Sequence, residues 1–454
     1  MEIKNIQHPE RLTIQNGNEN NIEIKAKILE SSDENIKICA DYLRSGGIVG
    51  MPTETVYGLA ANAYNIHAVR KIFEYKGRPL SDPLIVHITN IPMAKELVNF
   101  DEKTLYLFEK LTNKFWPGPL TIVLKANFDK ISHILTANTD FIGLRFPKND
   151  IAKKLIEYSG VPIAAPSANK FCHVSPVNPH HVFEDFKEFP VYILDGGVSN
   201  FCMESTVIKI IINDSNSEIN GGNFFENQVN KIQILRMGAI CKVQLEDFLE
   251  EIYLEDRNIF DINEESNGIN LKMNKFKVEI LKKEKAIPTE IEIKKEQEEI
   301  KKELENGSNI EEILNEDFKI NQEAPGQFIR HYSPNIDTYI LEFEERENNF
   351  DLKLNESELK DCVVLDYLEI IKNRFADKKF LKVFDLSSTG DHVEVMHNLY
   401  NYLRLAEKER NPKYLLICNI DKYMGENPNK LTLVDRISKA SSNRKIYFIE
   451  KNNF

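Results

Sequence analysis

The feature that most constrains the fold is a regular alternation of helix-like and strand-like segments up to about residue 245. The stretch SSDENIKICADYLRSGG opens with Ser31 and Glu34 at capping-box spacing and ends at a glycine pair, which predicts a helix. The apolar run IVGM follows as a short strand, and the alternation continues as far as STVIKIII. This pattern favours an α/β domain with a twisted, mixed, open sheet and helices packed against it.

The composition changes beyond about residue 255, which indicates a second folded unit reached through a connector. The stretch LKKEKAIPTEIEIKKEQEEIKKELENGSNIEEILNED is dense in Lys and Glu and has no aromatic residue, as is typical of a linker or a solvated helix. Strand-like and helix-like runs then return and predict a smaller, Rossmann-like α/β domain. The predicted boundaries are 30–245 for the main domain, 246–323 for the charged connector, 324–336 for an interdomain lid motif and 337–454 for the C-terminal domain.

Two smaller features complete this organisation. The tract NDSNSEINGGNFFENQVN, ahead of residue 231, predicts a polar hairpin insertion in the main domain. In the C-terminal domain, Arg404 and Arg436 fall on predicted helices, and we expect both to be surface charges.

The overall composition narrows the class of protein. The 454 residues carry a net charge of −13, which argues against a dedicated nucleic-acid binder and confines any anion site to a local cationic patch. We expect no membrane span and no secretory signal, because no long apolar window occurs. Six cysteines without a CxxC pair favour reduced thiols in the cytoplasm and argue against zinc, and we expect no metal held by the protein itself.

The common nucleotide-binding and hydrolase motifs are absent from the sequence: it has no GxxxxGK[ST], GxGxxG after a strand, GxSxG or HExxH. One stretch, FEYKGRPLSDPLIVHI, instead sets Lys76 and Arg78 at the end of a predicted helix, with Pro79 and Pro83 directly after. Cations favour a helix C-terminus for electrostatic reasons alone. The rigid backbone also suits a site where two cations point at one phosphate group.

Three further stretches place polar residues at strand ends. MPTETVYGL brings Thr55, GLRFP brings Arg145, and VPIAAPSAN brings Ser167 and Asn169. Each has a structural alternative: hydroxyls and amides often cap turns, and a strand arginine can pair with a structural acid instead of a ligand carboxylate.

Considered together, these residues indicate one ligand crevice. Lys76, Arg78, Arg145 and Arg236 join Thr55, Ser167, Asn169 and Ser205 at the strand ends of one α/β domain, where ligands usually bind. The set suits a nucleotide together with a small polar acid. Since no nucleophile has a clear base partner, the chemistry we expect is transfer between bound substrates by positioning and charge neutralisation. A carboxylate or carbamate attacking the α-phosphate of ATP, with Mg²⁺ on the triphosphate, is such a reaction.

Seven motifs in order give a family resemblance over residues 35 to 245: PTETVYGL, KGRPLSDPLIVHI, FWPGPLTIVL, GLRFP, VPIAAPSAN, DGG…ESTV and ILRMGAI. They resemble YrdC-like threonylcarbamoyl-AMP synthases, and APGQFIRHYSP with the domain after it resembles the long, two-domain form. The resemblance implies that L-threonine, bicarbonate and ATP give threonylcarbamoyl-AMP and pyrophosphate. A partner transferase would then modify tRNAs that read ANN codons, with at most a weak tRNA contact by this chain.

The resemblance also implies roles for individual residues. The expected catalytic set matches the family's K-x-R and S-x-N signature: Lys76, Arg78, Ser167 and Asn169. The expected threonine set is Thr55, His87, Arg145, Ala165 and Ser205. The expected ATP set is Arg78, Asp82, Phe141, Ser167, Ser175, Arg236 and Tyr332.

Two positions depart from the family pattern. Asp82 stands where the two-domain form often has Asn, and Ile329 where it commonly has Tyr, so that Arg330, His331 or Tyr332 would supply the nucleotide contact. Two other functions remain open. One is an RNA-binding module without nucleotidyl transfer, and the other is a carbamoyl-transfer domain like those of hydrogenase-maturation proteins, which carry acylphosphatase and zinc-finger segments not found here.

Overall fold

The computed structural model describes most of the two predicted domains. The described residues are 25–212, 230–256, 276–281, 292–293, 295, 298, 322–326, 328, 330–343 and 352–448. Ile329 lies outside them, as do nearly all of the predicted hairpin insertion and nearly all of the Lys/Glu-rich stretch.

The first body is an eleven-stranded mixed sheet covered by helices, which confirms the predicted α/β class. Its strands are β1 Lys27–Glu30, β2 Ile48–Met51, β3 Gly58–Asn62, β4 Ile85–His87, β5 Leu120–Lys125, β6 Phe141–Arg145, β7 Ile163–Ala164, β8 Val191–Asp195, β9 Thr206–Ile211, β10 Asn230–Arg236 and β11 Phe276–Ile280. Its helices are α1 Asp33–Arg44, α2 Ile66–Lys76, α3 Ile91–Leu97, α4 Glu102–Phe115, α5 Asp150–Ser159, α6 Pro179–Phe186 and α7 Lys242–Glu255.

The strand order brings distant parts of the sequence side by side. It runs β1-β8-β2-β3-β7-β4-β6-β5-β9-β10-β11, with parallel and antiparallel pairs mixed. In the parallel pair β4–β6, His87 lies directly opposite Arg145, so both side chains leave the sheet on the same face. A bridge between Gly58 and Ser167 brings two further predicted site stretches together. The topology thus gathers motifs that are far apart in the sequence.

Local sequence signals explain where the helices begin and end. Helix α1 is capped by Ser32, whose side chain accepts from the Asn35 amide, so the predicted cap at Ser31 is one residue early. The Ser31 hydroxyl instead donates to the carbonyl of Asp195. Helix α2 ends at Gly77, which adopts φ 64°, a conformation that glycine takes without strain. That left-handed turn separates Lys76 from Arg78 and directs the chain back toward the sheet.

The second body is a smaller sheet of six parallel strands with helices on it, as predicted. Its strands are β12 Thr338–Glu342, β13 Leu352–Leu354, β14 Cys362–Asp366, β15 Lys382–Asp385, β16 Tyr414–Cys418 and β17 Lys445–Phe448, in the order β13-β17-β12-β16-β14-β15. Its helices are α8 Ile370–Arg374, α9 His392–Ala406, α10 Ile420–Tyr423 and α11 Lys430–Ala440. Its core is continuous with residues of the first body, among them Val174 and Met203, so the two bodies pack closely.

Two structural features differ from the sequence-based picture. Helix α7 crosses the predicted boundary at 245, and β11 extends the first sheet from within the predicted connector, paired in parallel with β10. The prediction that Arg404 and Arg436 are surface charges is wrong, because they are 2% and 0% exposed. Both lie at the junction of the two bodies, where acids of the first body neutralise them: Asp185 lies 2.8 Å from Arg404, and Glu204 lies 3.0 Å from Arg436.

Candidate functional site

A cavity lies where β4, β6, β7 and β10 end and β3 and β9 begin. It is lined by Thr53, Thr55, Val56, Tyr57, Gly58, Arg78, Ile85, His87, Arg145, Ala165, Pro166, Ser167, Glu204, Ser205, Arg236, Pro325 and His331. The first fifteen belong to the main domain, and the last two come from the segment between the domains. All five residues of the expected threonine set line this cavity, together with three of the expected ATP set: Arg78, Ser167 and Arg236.

Arg145 presents a buried positive charge to the cavity. Its Nη2 donates to Glu54 Oε1 at 2.7 Å, and both side chains are at most 5% exposed. Its Nε donates to the Gly118 carbonyl at 3.3 Å. A side chain at position 118 would put its Cβ 2.3 Å from the carbonyl oxygen of Phe115, so only glycine fits this corner. Arg145 therefore has a structural acid partner and also faces the cavity, which combines the two alternatives that the sequence left open.

His87 stands beside Arg145 as a neutral ring. Burial, and then the charge of Arg145, lowers the pKa of His87 to about 3. Its Nδ1 has no hydrogen-bond partner among the described residues. At neutral pH the imidazole is thus an uncharged hydrogen-bonding group in the wall of the cavity.

The turn that carries Thr55 is fixed by a second hydroxyl. Thr53 Oγ1 lies 2.8 Å from Thr55 Oγ1 and donates to the Val56 carbonyl at 2.6 Å. The Thr55 amide in turn donates to Thr53 Oγ1 at 3.1 Å. The two hydroxyls are buried, so the turn presents a fixed pair of polar atoms to the cavity.

Ser205 and Arg236 form the opposite wall. Arg236 Nη2 donates to both the Oγ and the carbonyl oxygen of Ser205, each at 3.0 Å. Ser205 Oγ also lies 2.8 Å from Thr121 Oγ1 on the neighbouring strand. The guanidinium is anchored on the backbone that precedes β9, which directs a cation to the cavity from the end of β10.

Lys76 lies behind the cavity and holds one of its loops. Its ammonium donates to the carbonyl of Ser167 at 2.6 Å and also to the carbonyl of Asn169. Burial, with the nearby charge of Arg78, places the pKa of Lys76 well below the ordinary value. Lys76 is therefore placed to shape the loop that presents Ser167, whereas the sequence suggested that it would face the ligand.

Arg78 lines the cavity and is tied to the loop that follows it. Its Nη2 lies 3.0 Å from Asp82 Oδ2 and donates to the Pro83 carbonyl at 2.7 Å. Burial raises the pKa of Asp82, against the lowering effect of Arg78 and the other nearby cations. With its amide in the orientation that satisfies both neighbours, Gln322 donates to Asp82 Oδ1 at 3.2 Å. Asp82 thus joins Arg78 to the segment between the domains.

The structure does not bring every predicted residue to the cavity wall. Asp82, Asn169 and Ser175 are buried just outside it, and Phe141 lies at the start of β6 under the ammonium of Lys209, 3.4 Å from the ring centre. Tyr332 is fully buried, stacked on Tyr400 with ring centres 5.6 Å apart. Lys76 lies behind the wall as described above. Their ligand roles stay predictions.

The cavity residues to which the sequence assigned no role include an acid, Glu204, and an imidazole, His331. Glu204 belongs to the ESTV motif, of which the family resemblance implied a role only for Ser205. Among the described residues that line the cavity, Glu204 is the one carboxylate. His331 was one of three alternatives at the interdomain motif, where Tyr332 was selected. It lines the cavity, and burial places its pKa well below the ordinary value.

Fold and cavity together define an α/β protein with a cationic crevice for anionic ligands, partly closed by an interdomain segment. Comparison with known proteins identifies its family. A family model described as "Telomere recombination" (Sua5, YciO and YrdC) matches residues 41–220, and one described as "Threonylcarbamoyl-AMP synthase, C-terminal domain" matches residues 295–442. The chain belongs to the threonylcarbamoyl-AMP synthase family in its two-domain form, which confirms the resemblance predicted from the motifs.

Several curated relatives match in sequence. Threonylcarbamoyl-AMP synthase of Pyrococcus abyssi is 45% identical over 175 residues, which are 38% of this chain and 50% of that protein. The Bacillus subtilis protein of the same name is 38% identical over 238 residues, 52% of this chain and 62% of that protein. The match thus spans about half to three-fifths of these relatives. A putative threonylcarbamoyl-AMP synthase of Methanocaldococcus jannaschii is 35% identical over 40% of this chain and 86% of its own length.

A solved structure matches over nearly the whole chain. The crystal structure of Sua5 from P. abyssi complexed with L-threonine superposes with a TM-score of 0.63 and 25% identity. The superposition covers 94% of this chain and 99% of that one. Both bodies therefore have counterparts in one known structure.

Proposed function

We propose that this protein is an L-threonylcarbamoyladenylate synthase, a nucleotidyltransferase that makes threonylcarbamoyl-AMP and pyrophosphate from L-threonine, bicarbonate and ATP. The observation that carries the proposal is the cavity wall, where all five residues expected to surround threonine meet three residues expected to surround ATP. The names of the relatives support this activity over an RNA-binding module.

The amino-acid side of the cavity suits a small zwitterion. Arg145 offers the carboxylate a guanidinium that is already oriented by Glu54 and Gly118. Neutral His87 and the fixed hydroxyl of Thr55 add hydrogen-bonding groups for the polar atoms of the ligand. Because these groups are held before the ligand arrives, little ordering is required on binding.

The nucleotide side suits a polyphosphate. Arg78 and Arg236 bring two guanidinium groups to the same wall, and Ser167 adds a hydroxyl from a loop that Lys76 fixes. Such a wall would neutralise charge that develops when threonylcarbamate attacks the α-phosphate and pyrophosphate leaves. Mg²⁺ would arrive with the triphosphate as part of the substrate. In the described part of the chain, no group of three or more His, Cys, Asp or Glu could hold a metal ion.

The product is a reactive mixed anhydride, which calls for a partner that consumes it. We infer that a tRNA threonylcarbamoyl transferase takes it for the modification of tRNAs that read ANN codons, in the cytoplasm, with no more than a weak tRNA contact by this chain. Pro325 and His331 of the interdomain segment would shield the intermediate from water. Within the described residues, no helix has the length and apolar character to cross a membrane.

The test is pyrophosphate release measured with ATP, L-threonine and bicarbonate, each omitted in turn. We expect pyrophosphate release to require all three substrates, and we expect Arg145→Ala and Lys76→Ala to lose most of it. Release without threonine, equal release with any amino acid, or wild-type rates in both variants would refute the proposal.

A further inference from the structure

Arg436 connects the C-terminal domain to the wall of the cavity. It lies on α11, is 0% exposed, and its Nε donates to Glu204 Oε2 at 3.0 Å. The Tyr400 hydroxyl, on α9, donates to the same oxygen at 2.9 Å. One carboxylate oxygen of Glu204 is thus held entirely by side chains of the other domain.

The same arginine also holds the second strand of that wall. Arg436 Nη2 donates to the carbonyl of Met237 at 2.5 Å, and Thr432, one turn earlier, donates to the carbonyl of Gly238 at 3.3 Å. Gly238 lies against the backbone of residues 204–206, where any Cβ would come within 2.4 Å of it. Helix α11 therefore clamps two segments that themselves pack without room for a side chain.

Those two segments carry the ligand-facing groups of this wall. Glu204 precedes Ser205, and Met237 follows Arg236, so the clamp acts one residue away from each. Ser205 and Arg236 are also hydrogen-bonded to each other at 3.0 Å. A shift of either segment would change the distance between them and their orientation toward the cavity.

Glu204 also faces the cavity itself. Its second oxygen, Oε1, has no hydrogen-bond partner of normal geometry among the described residues, although the side chain is only 3% exposed. Burial alone would raise the pKa of Glu204, but the charges of Arg436 and Arg236 have the larger effect and lower it. The group is therefore a carboxylate at neutral pH. The buried hydroxyl of Ser175 also lowers the pKa of Glu204 as a hydrogen-bond donor, although its geometry is not that of a normal hydrogen bond. A buried acceptor without a well-formed hydrogen bond is costly, and the cavity that Glu204 lines offers a route by which a ligand donor can reach it.

We propose that Arg436 is a positioning residue of the C-terminal domain, which fixes Glu204 and Met237. It thereby orients Ser205 and Arg236 toward the ligands. It also orients Glu204 Oε1 to accept a hydrogen bond from an N–H or O–H group of a ligand. The inference deepens the proposed function, on which the identity of the ligands rests. The donor could belong to the amino acid or to the nucleotide.

The central experiment compares Arg436→Met with Arg404→Met. Both remove a buried arginine at the domain junction, but Arg404 pairs with Asp185 and donates to the Val174 carbonyl, without a contact to Glu204 or Met237. We expect Arg436→Met to raise the Kd for ATP and for L-threonine, measured separately by calorimetry, by about 10- to 100-fold, the scale of a small misplacement of binding groups. Arg404→Met should lower the melting temperature by a similar amount while the Kd for L-threonine stays within about twofold. L-threonine is the control ligand because the Val174 contact of Arg404 adjoins Ser175, a residue of the expected ATP set.

Two further variants separate position from charge and identify the donor. Arg436→Lys keeps the charge but cannot span Glu204 and the Met237 carbonyl with one ammonium, so it should give an intermediate Kd. Glu204→Gln keeps the shape and loses the charge. The rise in Kd should be largest for the ligand that supplies the donor. In the double variant with Arg436→Met, the loss of binding free energy should be smaller than the sum of the two single losses. Unequal effects on L-threonine and ATP would identify the source.

A crystal structure of Arg436→Met provides a readout that needs no activity. The distance from Arg236 Nη2 to Ser205 Oγ, 3.0 Å in the wild type, should exceed hydrogen-bonding range. If wild-type protein releases no pyrophosphate, the proposed function fails, while this distance still decides the role of Arg436. Unchanged Kd values with an unchanged distance, or equal losses of L-threonine affinity in Arg404→Met and Arg436→Met, would overturn the inference. If Arg436→Met does not fold, Arg436→Lys and Glu204→Gln decide it by the same criteria.

Discussion

Two buried Arg–Glu pairs meet at this cavity, and they are arranged in opposite ways. In the first, Arg145 lines the cavity and Glu54 lies behind it, at 2.7 Å. In the second, Glu204 lines the cavity and Arg436 lies behind it, at 3.0 Å. All four side chains are at most 5% exposed. The first pair offers the ligands a cation, and the second offers them a carboxylate.

The difference shows how one cavity can present both signs of charge. A buried charge without a partner is expensive, so each ligand-facing group needs a counter-charge behind it. The pair Arg145–Glu54 is formed within the main domain, whereas Arg436–Glu204 joins residues 232 apart in the sequence and on different domains. Only the second pair therefore makes the geometry of the cavity depend on the C-terminal domain.

The largest effect is expected when the ligand-facing member of the first pair is removed. Arg145→Gln leaves the cavity without the guanidinium that the proposed function assigns to the threonine carboxylate. We expect the kcat/KM for L-threonine in pyrophosphate release to fall by at least about 100-fold, the scale of a lost charge-assisted, oriented contact. The KM for ATP should change much less. An equal fall in kcat/KM for both substrates would mean that Arg145 supports the whole cavity and does not bind threonine specifically.

Removing the hidden member of the same pair should affect stability more than binding. Glu54→Gln leaves Arg145 facing the cavity but without its counter-charge, so we expect unfolding to become easier by roughly 3 kcal/mol, as for other broken buried pairs. The KM for L-threonine should rise about tenfold, less than in Arg145→Gln, because the cation is still present. Denaturant unfolding and steady-state kinetics measure the two effects. A larger kinetic loss in Glu54→Gln than in Arg145→Gln would reverse the assignment of the two roles.

A smaller effect is expected from the backbone contact beneath the second pair. Gly238→Ala would force a Cβ to within 2.4 Å of the Glu204 carbonyl oxygen, so the wall must move by a few tenths of an ångström or more. We expect a loss of stability of about 1–3 kcal/mol, typical of overpacking, and a several-fold rise in the KM of both substrates. Gly425→Ala is the matched control, since nothing lies within 4 Å of its added Cβ. If the two variants had equal KM values, the contact between Gly238 and the backbone of Glu204 would not influence ligand binding.

The sequence predicted the first pair better than the second for a physical reason. Strand alternation and turn motifs are local, so they predicted the mixed sheet and placed Thr55 and Arg145 at strand ends of one domain, whereas His87 was assigned to the site only by the family resemblance. The apolar strand around Arg145 also signalled that a charge there needs a partner. The environment of Arg436 depends on how the two domains pack against each other. The helical periodicity of α11 alone does not contain this information, and it predicts that the residue is a surface charge. The backbone contacts of Lys76 were not predicted for a similar reason, since spacing does not reveal which carbonyls an ammonium will reach.

Another charged contact between the domains differs from both pairs because it contains a histidine, His173, whose pKa is raised above its ordinary value. His173 lies 3.2 Å from Asp185 in the main domain and 3.0 Å from Glu407 in the C-terminal domain. Burial alone would lower the pKa of His173, but the hydrogen bonds to the two carboxylates raise it above the ordinary 6.5. The stabilisation from this contact is therefore fully present below pH 6.5 and is lost as the pH rises through the folded-state pKa.

The smallest expected effect is thus a decline in stability on the alkaline side of pH 6.5. Each unit by which folding raises the pKa of His173 contributes about 1.4 kcal/mol to the unfolding free energy. His173→Gln should weaken this decline between pH 6.5 and 9, measured by denaturant unfolding. Below pH 6.5 the variant should be less stable than the wild type, because it lacks a contact that is fully formed there, and because His173 helps to lower the pKa of Asp185. His87 and His181, whose pKa values burial lowers to about 3, should destabilise the folded state on the acid side in both proteins. If the unfolding free energy of the variant declined as steeply as that of the wild type, the charge of His173 would not link the domains. The Arg436–Glu204 and Arg404–Asp185 pairs would then hold the junction at every pH in that range.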